Sequence, residues 1–299
     1  MSKKIVILAG SPRGGEETWD TLFKYVVEPL NADLAICCGV DINQNSSIFQ
    51  KAKYKWLFDE YVNWYNYYES NFAGSWREYF ETGHDTGLKN SGSVHFAIKN
   101  IILENYLSII EEYDQVIYSR FDQFYVDYHP DLNNKYIWIP EGEDYFGICD
   151  RHTVFPSKFA KKILGICNYI DDPATIVDAP AYNNCETTFL NHLKFNNLDT
   201  HIQRMKRFQF TVQKKGDSTR WRVAKYNLYL IKGIKIKYPS EFVLSLRELL
   251  KNNKTLYNLK TNKVLIFNFF ILELRKFVAK FLPRILKDKI VVHIDKDQI

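Results

Sequence analysis

The chain has 299 residues, 46% hydrophobic and 25% charged, with 21 Phe and 20 Tyr. That length and balance exclude a disordered chain and a small disulfide-stapled module, and leave room for one large or two modest domains. The net charge of +5 hides a division, because residues 225–299 carry 16 Lys and Arg against 6 Asp and Glu, leaving 24 against 29 for residues 1–224. An acidic body with a basic C-terminal region is expected, the basic part being attracted to an anionic surface. Five cysteines without a C-x-x-C pair favour neither a disulfide framework nor a zinc site, and imply a reducing, cytoplasmic setting. The apolar run after Lys4 is too short for a secretion signal, and no stretch reaches the roughly 18 apolar residues of a spanning helix.

Lys4–Ala9 reads as a buried strand of the parallel-sheet kind, broken by a turn over Gly10–Gly15. Trp19, Leu22, Phe23 and Val26 then predict a helix from Thr18, its N-cap, to Asn31, and Asp33–Cys38 a second strand. Strand, helix, strand argues for a βαβ unit. Aromatic spacing over residues 50–82 predicts one or two helices, and Ser91 or Ser93 caps a helix over Val94–Ile110. Gln115–Asp122 follows as an apolar strand ending in an acid two residues after Arg120. Tyr136–Ile139 and Tyr145–Cys149 read as two further strands, and helices are expected from Ser157 to Ile170 and from Asn183 or Asn184 to Leu193. After a β-like run over Tyr226–Ile236 the texture becomes lysine-rich and helical. The fold class is therefore α/β, a mostly parallel sheet flanked by helices, with a catalytic domain over 1–224 and a basic, amphipathic helical region over 225–299.

The sharpest chemical signal is Asp122. A buried strand delivers its last carboxylate to the crevice at the strand's carboxyl end, where open α/β sheets bind ligands. A divalent cation there, Mn²⁺ or Mg²⁺, could neutralise a diphosphate, since one or two protein carboxylates are sufficient when phosphate and water complete its shell. The turn from Gly10 places Arg13 where it could meet a nucleotide, although Glu16 and Glu17 at the following helix start would repel a tightly cradled phosphate. Asp150, followed by Arg151 and His152, and Glu186, in the first turn of a helix, are the two candidate general bases; His152 alone fits a structural role better. Arg220 beside Trp221 offers a bidentate fork for diphosphate. Phe267, Phe270, Ile271, Leu274, Phe277, Val278 and Phe281 share a helical face within residues 264–289, with Arg275, Lys276 and Lys280 beside it, the pattern of a helix lying on an anionic membrane surface or packed on protein.

Together, residues 4 to about 224 resemble a divergent GT-A glycosyltransferase domain of the kind that builds surface or viral-type glycans. The carrying residues are Ile5–Arg13, the Ser91–Ser93 helix start, Tyr118–Asp122 in place of D-x-D, and Tyr145–Arg151 followed by Glu186. The resemblance implies Asp122 as the metal ligand, with Gly10, Arg13, Ser91, Arg120, Asp122 and Arg220 around a nucleotide-sugar donor. Arg120 stands where the family has its first acid. A glycan or lipid-linked glycan acceptor, and a cytoplasmic site at the inner face of a membrane, complete the expectation. The rivals are a nucleotide-phosphosulfate-dependent sulfotransferase, which would use the same Gly-Ser-Pro-Arg turn without metal, and an inactive glycan-binding module. No nucleic-acid partner is expected, for want of any zinc-finger or RNA-binding signature.

Overall fold

Continuous apolar runs build the centre of the sheet. The computed structural model describes residues 2–81, 91–176, 184–214 and 234–251, together with 263, 265–267, 269–270 and 273–274. In chain order, β1 (Lys4–Ala9), α1 (Glu16–Leu22) and β2 (Asp33–Gly39) are followed by α2 (Ser47–Lys51), β3 (Tyr54–Phe58), α3 (Tyr65–Asn71) and α4 (Ser75–Glu81). The long α5 (Ser91–Glu111) leads into β4 (Gln115–Ser119), then β5 (Gln123–Tyr125), β6 (Ile137–Pro140) and β7 (His152–Pro156). Next come α6 (Ala160–Leu164), α7 (Ile166–Ile170), α8 (Pro173–Ile176), α9 (Cys185–Phe195), β8 (Ile202–Met205), β9 (Gln209–Lys214), β10 (Ile234–Ile236) and α10 (Pro239–Lys251).

The chain divides into two compact units. The first comprises residues 1–12, 26–121 and 129–205, and the second residues 13–25, 122–128 and 206–299. The first holds a seven-stranded sheet in the order β3-β2-β1-β4-β7-β6-β8. Strands β3, β2, β1 and β4 run parallel, and β7 alone runs against both β4 and β6. Ile5, Val6, Ile7, Val116, Ile117 and Ile36 are wholly buried, the composition of strands covered on both faces. After β1 the chain adds β2 and β3 on one side and returns to lay β4 on the other, so the strand order reverses between β1 and β4. In open α/β sheets the crevice outside the carboxyl ends at such a reversal is the usual ligand position. The second unit holds an antiparallel sheet of β10, β9 and β5, packed with α10 around Phe124, Phe210, Val212, Phe242 and Leu246.

Several sequence expectations need correction. The helix expected over Thr18–Asn31 starts at Glu16 behind Gly15, and widens into a π-helical turn over Phe23–Val27. The aromatic stretch 50–82 contains a strand, β3, before its helices: Tyr54–Phe58 pairs in register with β2 at the sheet edge. Tyr145–Cys149 is a loop rather than a strand, because Glu143, Tyr145 and Phe146 all adopt positive φ (56°, 40° and 67°), which cannot continue a ladder. The strand lies just downstream at His152–Pro156, so Asp150 and Arg151 enter a strand instead of leaving one. The helix expected over Ser157–Ile170 breaks at Gly165 into α6 and α7. Of the run expected over Tyr226–Ile236, only β10 falls among the described residues.

Candidate functional site

Antiparallel pairing places His152 opposite Ser119. The start of β7 therefore sits beside the end of β4, and Leu8 near the end of β1 pairs with that same Ser119. This brings Gly10, Arg120, Asp150 and Arg151 to the carboxyl ends of β1 and β4, at the strand-order reversal. Gly10 takes a φ of 108° that only glycine adopts easily, and its N–H donates to the Cys37 carbonyl at 3.0 Å.

Glu186 arrives from α9. Asn184 caps that helix, its side chain accepting from the Thr187 N–H at 2.8 Å while the Thr187 hydroxyl accepts from the Asn184 N–H at 3.0 Å. The loop before Asp150 is fastened to the same end of α9. The Ile148 N–H donates to the Glu186 carbonyl (3.1 Å), and the Asn184 side-chain amide donates to the Tyr145 carbonyl (2.8 Å). Gly147 sits so close that a Cβ there would lie 2.1 Å from the Glu186 carbonyl carbon, so any side chain is excluded. Arg204 holds the base of the loop through Asp144, donating to its carboxylate at 2.8 Å.

The result is a buried group of charges. Asp150, Arg151 and Glu186 are 8%, 6% and 7% exposed. Arg151 donates from Nη1 to Glu186 Oε1 at 2.7 Å and from Nη2 to the Glu143 carbonyl at 3.2 Å. Burial pushes the Glu186 carboxyl up to about 7, the neighbouring Asp150 charge adds to the rise, and Arg151 opposes it. Asp150 itself has no hydrogen-bond or ion-pair partner among the described residues. A carboxylate that is buried, uncommitted and beside a second carboxyl of raised pKa is equipped to accept a proton.

Sequence reasoning missed Lys99. It projects from α5 into the same group, 3% exposed, with Nζ 4.3 Å from the Phe189 ring centroid and 5.3 Å from that of Tyr118. Burial lowers its pKa, against the attraction of Asp150. The signal was a lone cation inside the apolar run Val94–Ile110. His152 is wholly buried, with Nδ1 3.1 Å from the Ser119 hydroxyl.

In the second unit Asp122 is buried at the head of β5, its carbonyl accepting from the Val212 N–H at 2.9 Å, and Arg13 is half-buried before α1. Among the described residues no group of three or more His, Cys, Asp or Glu is arranged to hold a metal ion. Asp122 would offer one carboxylate to a divalent cation whose other ligands come from phosphate and water. Arg220 and the side chain of Ser91 lie outside the described residues. The chain matches no protein-family model, and no curated protein is significantly similar to it.

Proposed function

We propose that the chain is a glycosyltransferase of GT-A type, moving a sugar from a nucleotide-diphosphate donor to a hydroxyl of a glycan or glycolipid acceptor. The observation that carries this reading is Asp150, a buried carboxylate without a hydrogen-bond or ion-pair partner among the described residues, at the end of the central strands where the strand order reverses. Asp150 accepts the proton of the acceptor hydroxyl as its oxygen bonds to the anomeric carbon, and the bond from that carbon to the diphosphate breaks with its electrons leaving on phosphate. Glu186 is the weaker candidate for base because Arg151 already holds it at 2.7 Å. Its role is to fix the loop and to keep a second carboxyl near Asp150.

Arg120, and Arg13 and Arg220 where the donor reaches them, would balance phosphate charge. A Mn²⁺ or Mg²⁺ ion held by Asp122 would supply Lewis-acid neutralisation of the leaving diphosphate. Phe146, 83% exposed on the strained loop ahead of Asp150, offers a face on which a sugar could stack. Among the described residues no helix is long and apolar enough to cross a membrane. Attachment to the cytoplasmic face through the basic C-terminal region would bring the site near a lipid-linked acceptor.

The test is a thermal-shift panel of UDP, GDP, CMP and a nucleoside 3′,5′-bisphosphate, with and without Mn²⁺, on wild type and Asp122→Asn. A ligand at about 100 times its dissociation constant adds roughly 2.7 kcal/mol of stability. Metal-dependent stabilisation by one diphosphate, lost in Asp122→Asn, is the expected result and names the donor class. Stabilisation by the bisphosphate alone, indifferent to metal, would replace this reading with a sulfotransferase.

A further inference from the structure

Lys99 is energetically out of place. The residue is 3% exposed, and its buried ε-amine donates no hydrogen bond among the described residues. Buried amines are ordinarily paired, because an unsatisfied donor keeps the full cost of its lost hydration. The aromatic faces of Phe189 and Tyr118 compensate only in part, at 4.3 Å and 5.3 Å from their centroids. The natural counter-ion is near but not engaged. Asp150 acts on Lys99 electrostatically, yet no ion pair closes between them, and Asp150 has no hydrogen-bond or ion-pair partner among the described residues. Asn100, the residue after Lys99, is similarly buried; its amide nitrogen donates to the Tyr67 hydroxyl at 2.9 Å, while its oxygen, like the Lys99 amine, has no hydrogen-bond partner among the described residues.

Among the described residues the Lys99 amine has no acceptor and the nearby Asp150 carboxylate no donor, which describes a site for a group that supplies both. A hydroxyl meets that condition: its oxygen accepts from an ammonium while its hydrogen is given to a carboxylate. A phosphate or carboxylate ligand fits badly, since it would be brought against both Asp150 and Glu186. We propose that Lys99 and Asp150 form a subsite for one hydroxyl of a pyranoside, which bridges the Lys99 amine and the Asp150 carboxylate between the rings of Phe189 and Tyr118. This rests on the acceptor reading of Asp150 and deepens it. Lys99 fixes the hydroxyl oxygen so that its proton points at Asp150, and no proton needs to leave Lys99.

The experiment uses the full chain with Lys99→Met, which keeps the shape of the side chain and removes the amine, and with Asp150→Asn. Melting temperatures are read alone, with UDP or GDP and Mn²⁺, and with methyl glycosides of glucose, galactose, mannose and fucose. Three results are expected. Lys99→Met melts a few degrees higher than wild type, as when a residue kept for function at a cost to stability is removed. At least one glycoside raises the melting temperature of wild type, and that rise disappears in both variants. The nucleoside-diphosphate shift survives in both. If Lys99→Met melts lower or fails to fold, Lys99 is a structural counter-ion and the proposal is overturned. It is also overturned if the glycoside shift persists in Lys99→Met, or if no glycoside stabilises wild type. A glycoside shift lost in both variants, with no diphosphate stabilising any of the three proteins, would uphold the subsite while removing the nucleotide-sugar donor.

Discussion

Two imidazoles are buried where they cannot easily take up a proton. His129 donates from Nδ1 to the Pro130 carbonyl and His192 from Nε2 to the Lys162 carbonyl, both at 2.7 Å, and burial pulls each down to about 4. In the unfolded chain both return to about 6.5, so between those values the unfolded state binds more protons and acid favours it. Their contribution is complete above about pH 6.5 and is lost as pH falls towards 4. Glu186, raised to about 7 chiefly by burial and then by Asp150, has the opposite sign: it holds its proton in the fold and gives stability back as pH drops. Two histidines against one glutamate leave a net of one proton, a slope on the order of 1 kcal/mol per pH unit between roughly pH 6.5 and 4.5. Denaturant midpoints should therefore fall steadily over that range, and His192→Gln should make the curve nearly flat. Midpoints that stay constant or rise on acidification of wild type would mean that one of these groups is not buried as described.

At the scale of elements, sequence reading succeeds where one local rule acts alone. Uninterrupted apolar runs gave β1, β2 and β4, and the pair Asn183 and Asn184 marked the start of α9, which the structure caps with Asn184. It failed where two rules competed. Tyr54–Phe58 was hidden in aromatic spacing that also suits a helix, and its strand character comes from pairing with β2, a long-range contact. The Tyr145–Cys149 segment has strand composition, but positive φ at Tyr145 and Phe146 and the approach of Gly147 to α9 fold it into a loop. Of the site, the two carboxylates were legible as residue types, whereas the pairing of Glu186 with Arg151 and the burial of Lys99 depend on tertiary packing. Gly147 tests how tightly loop and helix are joined. A methyl group there would meet the Glu186 carbonyl carbon and oxygen at 2.1 Å and the Thr187 nitrogen at 2.3 Å, all backbone atoms that cannot swing aside. Gly147→Ala should lose about 2–3 kcal/mol by forced separation of the two elements. A variant with the midpoint of wild type would show that the loop does not rest on the first turn of α9.

At the scale of the whole molecule, charge and apolar surface are divided along the chain in the same sense. The excess of Lys and Arg lies in residues 225–299, and that region also presents large apolar side chains to solvent. Leu265 and Phe269 are 1% and 7% exposed and join the core of the second unit with Phe242, Leu246 and Leu249. Phe267, Phe270 and Leu274 are 66%, 60% and 62% exposed. Arg247 and Glu273 form an ion pair at 2.9 Å. Packing on its own unit thus accounts for one set of apolar positions and leaves another, spaced 3 and 4 apart, facing water. In a region whose sequence is so rich in Lys and Arg, such a face suits a bilayer carrying anionic lipid, where burial of each ring and attraction of each cation add together. Vesicles containing phosphatidylserine should bind the chain, neutral phosphatidylcholine vesicles should bind it far less, and added salt should weaken the anionic case. Phe267→Ser with Phe270→Ser should reduce binding at least about tenfold, from the loss of roughly 1.4 kcal/mol or more of ring burial. Because both side chains are already in water, the melting temperature should stay within about a degree of wild type. Equal binding of the double variant and wild type would leave the charge alone as the attraction and remove the apolar face from the account.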